Sequence, residues 1–387
     1  VWNEGSETAA LTLAPGAYVI GSQNNASATI ADNDVPAKWH YKTRIAFGGY
    51  TRAGVLTNFP ALVMLGTNIV NFSYDQFTAP ANGGDLRFLD SSETAGLNFE
   101  IEEWNTNGSS YVWVQVPQIA GTNTQIWAYW GHPSITSLPA CVSNGATWTN
   151  GYRGVWHFGR TNDAENLADS SPNGYNGTDG GLGGGSTSVV GMISYAQSFD
   201  PANSNRISLV SSANFLPTTN TPITISCWIN PASIGSVSID NRIVNILRSG
   251  GSTVLALSCG STDRIQVYRV GSITNETYTS TTTVTTGNWY HAAMTYDGAT
   301  FRIHVNGAPE TSAPGDLEAG SSDAARIATF NDSGRFYSGV MDEVRISSLA
   351  RSTDWLWACY MNQGFSSSFN SYGRVMRASG GTVIRIK

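Results

Sequence analysis

Short runs of alternating apolar and polar residues fill most of this chain, and turn-forming residues interrupt them every few positions. Tyr41-Lys-Thr-Arg-Ile-Ala-Phe, Asp85-Leu-Arg-Phe-Leu-Asp, Leu97-Asn-Phe-Glu-Ile-Glu-Glu-Trp, Tyr111-Val-Trp-Val-Gln-Val-Pro and Gln125-Ile-Trp-Ala-Tyr-Trp-Gly have the length and period expected of half-buried strands. Phe59-Pro-Ala-Leu-Val-Met-Leu is an apolar run of similar length. Further on, Ile223-Thr-Ile-Ser-Cys-Trp-Ile and Trp289-Tyr-His-Ala-Ala-Met-Thr-Tyr-Asp repeat the alternation. Gly, Asn, Ser and Thr separate these segments. The pattern predicts an all-β chain of tandem two-sheet sandwiches with loops at their ends.

Composition narrows the partners. The chain has 387 residues, enough for two or three domains. Only 13% of residues are charged and the net charge is −7. Lys38, Lys42 and Lys387 are the only lysines. Without a basic cluster, nucleic acid and anionic membrane are poor partners. No apolar run approaches the roughly 18 residues of a membrane span. Abundant Gly, Ser, Thr and Asn, with 12 Trp, 16 Tyr and 14 Phe, is the balance of an extracellular or cell-surface β-protein. Val1-Trp-Asn-Glu-Gly starts in mid-pattern, as if cut from something longer, so the lack of a leader says little about secretion.

Four cysteines allow three connectivities. None forms a CxxC pair, which argues against zinc or redox cysteines. Cys141 and Cys359 flank the longest β-segment, so a bridge closing its ends is expected, with Cys227–Cys259 joining neighbouring strands. The alternative is that all four are buried thiols.

Several motifs carry resemblances. Trp39, Leu56 to Pro60, Asp85 to Phe88, Glu100 to Trp104 and Tyr129 to Gly131 together resemble the DUF2341 family, a module of large secreted bacterial proteins. Gly154-Val-Trp-His, Leu167-Ala-Asp-Ser-Ser-Pro-Asn-Gly, Ser198-Phe-Asp and Met341-Asp-Glu-Val-Arg-Ile resemble the laminin-G-like, concanavalin A-like jelly roll. Glu4-Gly-Ser-Glu with two Thr-rich strands and an Asp-rich exit is similar to the end of a Calx-β domain. Ser379-Gly-Gly-Thr is similar to the beginning of one. The resemblances imply four segments: a Calx-β-like (immunoglobulin-like sandwich) part at 1–34, a DUF2341-like β domain at 36–140, a jelly roll at 141–373 and a Calx-β-like strand at 374–387.

Catalysis finds little support. Alternation places Glu100 and Glu102 on one strand face, as in glycoside hydrolases with paired carboxylates. The spacing continues into Trp104 and Asn105, however, where a laminarinase-type motif needs a further acid, so structural ion pairs or a solvated face is the better reading. The five histidines follow no metal-ligating spacing, there is no Gly-x-Ser-x-Gly elbow, and Gly180-Gly-Leu-Gly-Gly-Gly reads as a loop. By its resemblance to the jelly-roll family, the chain is expected to hold a structural Ca²⁺ through Asp169, Asn173 and Asp342, although Asx turns alone explain the first two. A complete Calx-β domain would add Glu4, Glu7, Asp32 and Asp34.

Glycan recognition uses aromatic platforms beside hydrogen-bonding groups. Tyr175, Tyr268, Tyr278, Phe330 and Tyr337, with Asn275, Asn331 and Arg335, are the loop candidates. Trp113, Trp127 and Trp228 read as core. The sequons at Asn25, Asn71, Asn107, Asn176, Asn275 and Asn331 decide nothing in so Asn-rich a chain. The expectation is therefore a non-enzymatic extracellular adhesion or recognition segment that binds a glycan through the jelly roll. A fibre subunit pairing with copies of itself through terminal strands is the alternative, and a glycoside hydrolase or lyase is a distant third.

Overall fold

The computed structural model of the chain describes residues 7–12, 25–30, 38–159, 167–181, 186–234, 241–260, 262–330 and 334–378, with backbone only for the first two stretches. The first two stretches form an antiparallel hairpin, β1 (Glu7–Thr12) and β2 (Asn25–Ile30). The next unit contains β3 (Tyr41–Ala46), β4 (Leu56–Leu65), β5 (Arg87–Leu89), β6 (Phe99–Glu103), β7 (Ser110–Ile119) and β8 (Gln125–Trp130). A larger unit opens with β9 (Tyr152–Trp156), β10 (Thr178–Gly180), β11 (Thr187–Val190), β12 (Tyr195–Phe199), β13 (Arg206–Ser211) and β14 (Ile223–Pro231). It continues with β15 (Asn241–Arg248), β16 (Ser252–Cys259), β17 (Arg264–Val270), β18 (Asn275–Thr283) and β19 (Tyr290–Tyr296). It ends with β20 (Thr300–Val305), β21 (Ala308–Pro314), β22 (Ala324–Ile327) and β23 (Gly339–Ser347). Two helices, α1 (Thr353–Gly364) and α2 (Ser366–Phe369), and short strands β24 (Ser371–Tyr372) and β25 (Met376–Arg377) follow.

The larger unit is a two-sheet sandwich. One sheet runs β10-β13-β22-β15-β16-β17-β18, the other β11-β12-β23-β14-β19-β20-β21, with β9 added beside β23. Alternation decides what lies between them. On β14, Ile223, Ile225, Cys227 and Ile229 enter the intersheet core, while Thr224 and Trp228 bond away from it, to Leu349 and Gln363. Trp113 and Trp228 are buried as expected of core tryptophans, whereas Trp127 stays half-buried.

The first unit packs a sheet β24-β3-β8-β5 against β4-β7-β6. Its core does not stop at its own strands. Trp148, Tyr152, Val155 and Ile193 of the next segment join it, as do Ala293 and, from α1, Trp355 and Leu356. Ser352 starts α1 by accepting the Trp355 N–H, and Asp354 in the first turn accepts the Gly54 N–H of the first unit (2.9 Å). The chain then returns to that unit: β24 and β25 both pair with β3. Of the segment 374–387, Met376–Arg377 pair with β3, and residues 379–387 lie outside the described residues.

This return closes an edge. β4 is the outer strand of its sheet, so its outward N–H and C=O groups need partners. Leu62 N–H donates to Asn362 Oδ1 (2.6 Å), and Leu62 O accepts from Asn362 Nδ2 (3.1 Å) and Asn370 Nδ2 (2.7 Å). Met64 N–H donates to the Tyr372 hydroxyl (2.9 Å). Two side-chain amides and a phenol stand where another strand would.

The expected disulfides do not form. None of the four cysteines is bridged. Cys227 lies on β14 and Cys259 on β16, which belong to opposite sheets, so they are not on neighbouring strands. Cys359 sits on α1 in the first unit's core, where burial pushes its thiol up to about 11. Burial likewise raises Cys227. They serve as small apolar side chains.

Two outcomes check this architecture. Alkylation after unfolding without reductant should label all four cysteines by intact mass, and reductant should leave the thermal midpoint unchanged. Asn362→Leu strands the buried Leu62 N–H and should cost about 1–3 kcal/mol in urea unfolding, with no change in native mass.

Candidate functional site

Register assembles one polar and aromatic face. Across the seven-stranded sheet, Ile207, Ile327, Val244, Leu257, Val267 and Tyr278 stand directly opposite one another and face the core. The adjacent row, Ser208, Arg326, Asn245, Ala256, Tyr268 and Thr277, therefore faces outward. A further outward row contains Arg242, Ser258, Gln266 and Thr279. Arg242 lies over the Tyr268 ring (5.3 Å to the centroid) and donates its backbone N–H to Arg335 O (3.4 Å). Arg335 lies over Phe330 (5.1 Å), whose carbonyl accepts from Asn245 Nδ2. Arg242, Asn245 and Ser258 form a buried floor, while half-buried Tyr268, Gln266 and Phe330 and exposed Arg335 make its rim.

Of the sequence candidates, Tyr268, Phe330 and Arg335 thus come together. Asn275, exposed at the start of β18, lies two positions from Thr277 on the same face. Tyr278 faces the core and packs on Phe301 (5.6 Å), Tyr337 is wholly buried, and Tyr175 packs on Phe215 (5.9 Å). Asn331 lies outside the described residues, as do Glu4, Asp32 and Asp34. Gln266, Arg242 and Asn245 were missed by sequence reasoning. Only strand parity could have found them.

A second cluster lies between the two sandwiches. Glu100 and Glu102 of β6 share one side, as alternation suggested, but that side is buried against His157 and β23. His157 Nδ1 is 2.7 Å from Glu343 Oε1 and 3.7 Å from Glu102 Oε2, and its Nε2 is 3.7 Å from Glu100 Oε2. Trp113 Nε1 donates to Glu102 Oε2 (2.7 Å), Ser170 Oγ to Glu100 Oε1 (2.7 Å), and Arg345 binds Glu343 Oε2 while lying over Trp113 (4.3 Å) and Trp148 (4.8 Å). Both strands carry a β-bulge here. On β6 the register slips at Glu102; on β23 it slips beside Glu343, whose φ is +54°. An extra residue at each bulge re-aims a carboxylate into the seam.

Electrostatics follow from burial. Burial, then Glu343, raises the Glu102 carboxyl well above the usual range, and burial and the same neighbours raise Asp342. Burial opposes charge on His157, yet Glu343 and Glu100 outweigh it and raise its pKa. Burial also opposes charge on Glu343, but His157 and Arg345 hold it low. Glu343 thus sits between the His157 imidazole and the Arg345 guanidinium. Grooves of about 710 Å³ beside Phe72, Tyr74 and Asn107, and about 590 Å³ beside Phe199 and Asn230, lie elsewhere.

The expected calcium residues have protein partners. Asp169 accepts from Val155 N–H, Ser171 N–H, Ser171 Oγ and Tyr175 N–H. Asn173 donates to Tyr152 O and Arg153 O. Asp342 accepts from Ile193 N–H (2.9 Å), with its other oxygen buried and unpartnered.

The family described as the concanavalin A-like lectin/glucanases superfamily matches residues 202–356, and the DUF2341 domain of unknown function matches 82–163. A DUF2341 domain therefore adjoins a concanavalin A-like sandwich in this all-β chain. No curated protein matches in sequence. Domain 4 of AbnA, an extracellular arabinanase from Geobacillus stearothermophilus in complex with arabinotriose, is similar at 20% identity and TM-score 0.42, covering 53% of this chain and 96% of its own. The binding domain of Paraclostridial Mosquitocidal Protein 1 is similar at 12% identity and TM-score 0.41, covering 54% and 52%. The botulinum neurotoxin serotype G binding domain is similar at 14% and 0.42, covering 55% and 51%. The chain thus spans about half the length of the two toxin structures.

Buried histidines supply a pH test. Burial, with Arg345 and His304, pushes His291 down from 6.5 to about 3, and burial with Arg302 pushes His304 to about 4. Folded His291 thus refuses a proton that the unfolded chain accepts below 6.5, so its contribution to stability falls with acidification at about 1.4 kcal/mol per pH unit. Relative to the parent, His291→Gln should flatten the decline of unfolding free energy between pH 6.5 and 4.5 by about that slope. An unchanged slope would show a charged His291.

Proposed function

We propose that this chain is a non-catalytic extracellular recognition module that binds glycan on the outer face of the seven-stranded sheet. The observation that carries the reading is the convergence of Tyr268, Phe330 and Arg335 over a floor of Arg242, Asn245 and Ser258. Half-buried rings offer stacking surfaces to a sugar's C–H face, and guanidinium and amide groups beside them bond its hydroxyls. The family match to a lectin and glucanase superfamily supports the same reading. The paired carboxylates of β6, by contrast, face His157 in a buried seam between the units.

A second reading has its own observation. The β1–β2 hairpin is a two-stranded sheet that pairs with no other described strand. Among the described residues, neither outer edge of this hairpin has a partner strand, and an unpaired edge accepts another strand. Pairing with a second copy there, through Calx-β-like pieces, would make the chain a repeat of an extracellular fibre.

Glycan-array screening followed by calorimetry tests the first reading. A subset of glycans should bind, and Tyr268→Ala should weaken binding at least about tenfold, or about 1.4 kcal/mol, with the thermal midpoint unchanged. A flat array, or binding indifferent to Tyr268, Phe330 and Arg335, would sink it. Light scattering showing only monomers at all concentrations would sink the second.

A further inference from the structure

The seam between the sandwiches brings together donors from distant parts of the chain. Glu102 of β6, His157 just after β9 and Glu343 of β23 each offer one donor atom, and these atoms lie within 4.8 Å of one another. All three side chains are buried. One oxygen of this group, Glu102 Oε1, has no hydrogen-bond partner, while the unpartnered His157 Nε2 lies on the far side of the ring, 3.7 Å from Glu100 Oε2. Buried polar atoms are ordinarily satisfied, so the orphan carboxylate oxygen asks for a missing partner. Both carboxylates are also presented by β-bulges, and Glu343 holds a left-handed backbone that a β-strand glutamate rarely adopts.

We propose that Glu102, His157 and Glu343 form a binding site for one divalent transition-metal ion, Zn²⁺ by their donor chemistry, which staples the DUF2341 unit to the jelly roll. One imidazole nitrogen and two carboxylate oxygens suit Zn²⁺, with a fourth position left to water. Calcium takes six or more oxygens and no imidazole, so it does not fit. Spacing is close to what is required. Ligand atoms about 2.0–2.1 Å from a tetrahedral ion stand roughly 3.3 Å apart. Here His157 Nδ1 is 2.7 Å from one carboxylate oxygen and 3.7 Å from the other. Opening the first gap and closing the second by about half an ångström would seat the ion.

Outer partners are in place as well. Trp113 Nε1 holds Glu102, and Arg345 holds Glu343. Such bonds orient metal-ligating carboxylates and fix their basicity. The proposal does not depend on glycan binding.

The test uses the full chain, stripped with chelator and then dialysed against trace Zn²⁺. Elemental analysis should find about one zinc per chain, and X-ray absorption should show only nitrogen and oxygen neighbours at about 2.0–2.1 Å. Zinc should raise the thermal midpoint and chelator should lower it. Glu102→Gln, nearly isosteric and still able to accept from Trp113, should lose at least about tenfold in zinc affinity. So should Glu343→Gln, read separately in case one variant fails to fold. A stripped chain that takes up no zinc would overturn the proposal, as would zinc retained undiminished in both variants, which would place the ion elsewhere.

Discussion

The structure depends on burying a polar seam between two sandwiches. Neither unit closes alone. The first leaves the outer edge of β4 open and takes Asn362, Asn370 and Tyr372 from the far end of the chain to satisfy it. The second turns the polar side of β14, β19 and β23 toward the first. A polar group removed from water without a partner costs on the order of several kcal/mol, so each contact must find a complementary one. That requirement explains why the joining surface is so specific in its partners: Ser170 to Glu100, Ser194 to Glu103 and His157 to Glu102.

Charge sharpens the constraint. Apolar burial would tolerate sliding between the units, because it has no direction. A carboxylate set between an imidazole and a guanidinium does not, since small displacements expose uncompensated charge in a medium of low polarity. The two β-bulges then have a purpose, as they bring carboxylates from unrelated strands to one point while the surrounding alternation keeps the cores intact.

How much of this could be read from residues alone follows from which interactions are local. Period-two alternation located β3, β7, β8, β14 and β19, and the short motifs indicated both units, because these depend on neighbours in sequence. The cysteine pairing failed for the same reason: alternation shows that Cys227 and Cys259 face a core, but not that they face it from opposite sheets. Tyr268 and Tyr278 looked alike as loop aromatics, yet one is outward and the other inward, a matter of parity against the neighbouring strands. His157 and Glu343 stand 186 residues apart, and no local spacing joins them. Helix α1 was also hidden, since its boundaries depend on Ser352 capping and on burial against β4 rather than on strong helix-forming composition.

The seam also bears on where the proposed recognition site lies. A two-sheet sandwich has two outer faces. Here the outer face of the eight-stranded sheet is covered, because Trp228, His291, Asp342 and Arg345 are spent on the first unit and α1. The seven-stranded sheet keeps its outer face, where Tyr268, Gln266, Phe330 and Arg335 retain exposure over a buried polar floor. The DUF2341 unit thus bears on the proposed glycan site without touching it: by occupying the outer side of the sheet that carries β14 and β23, it leaves the outer face of the seven-stranded sheet as the one it does not cover.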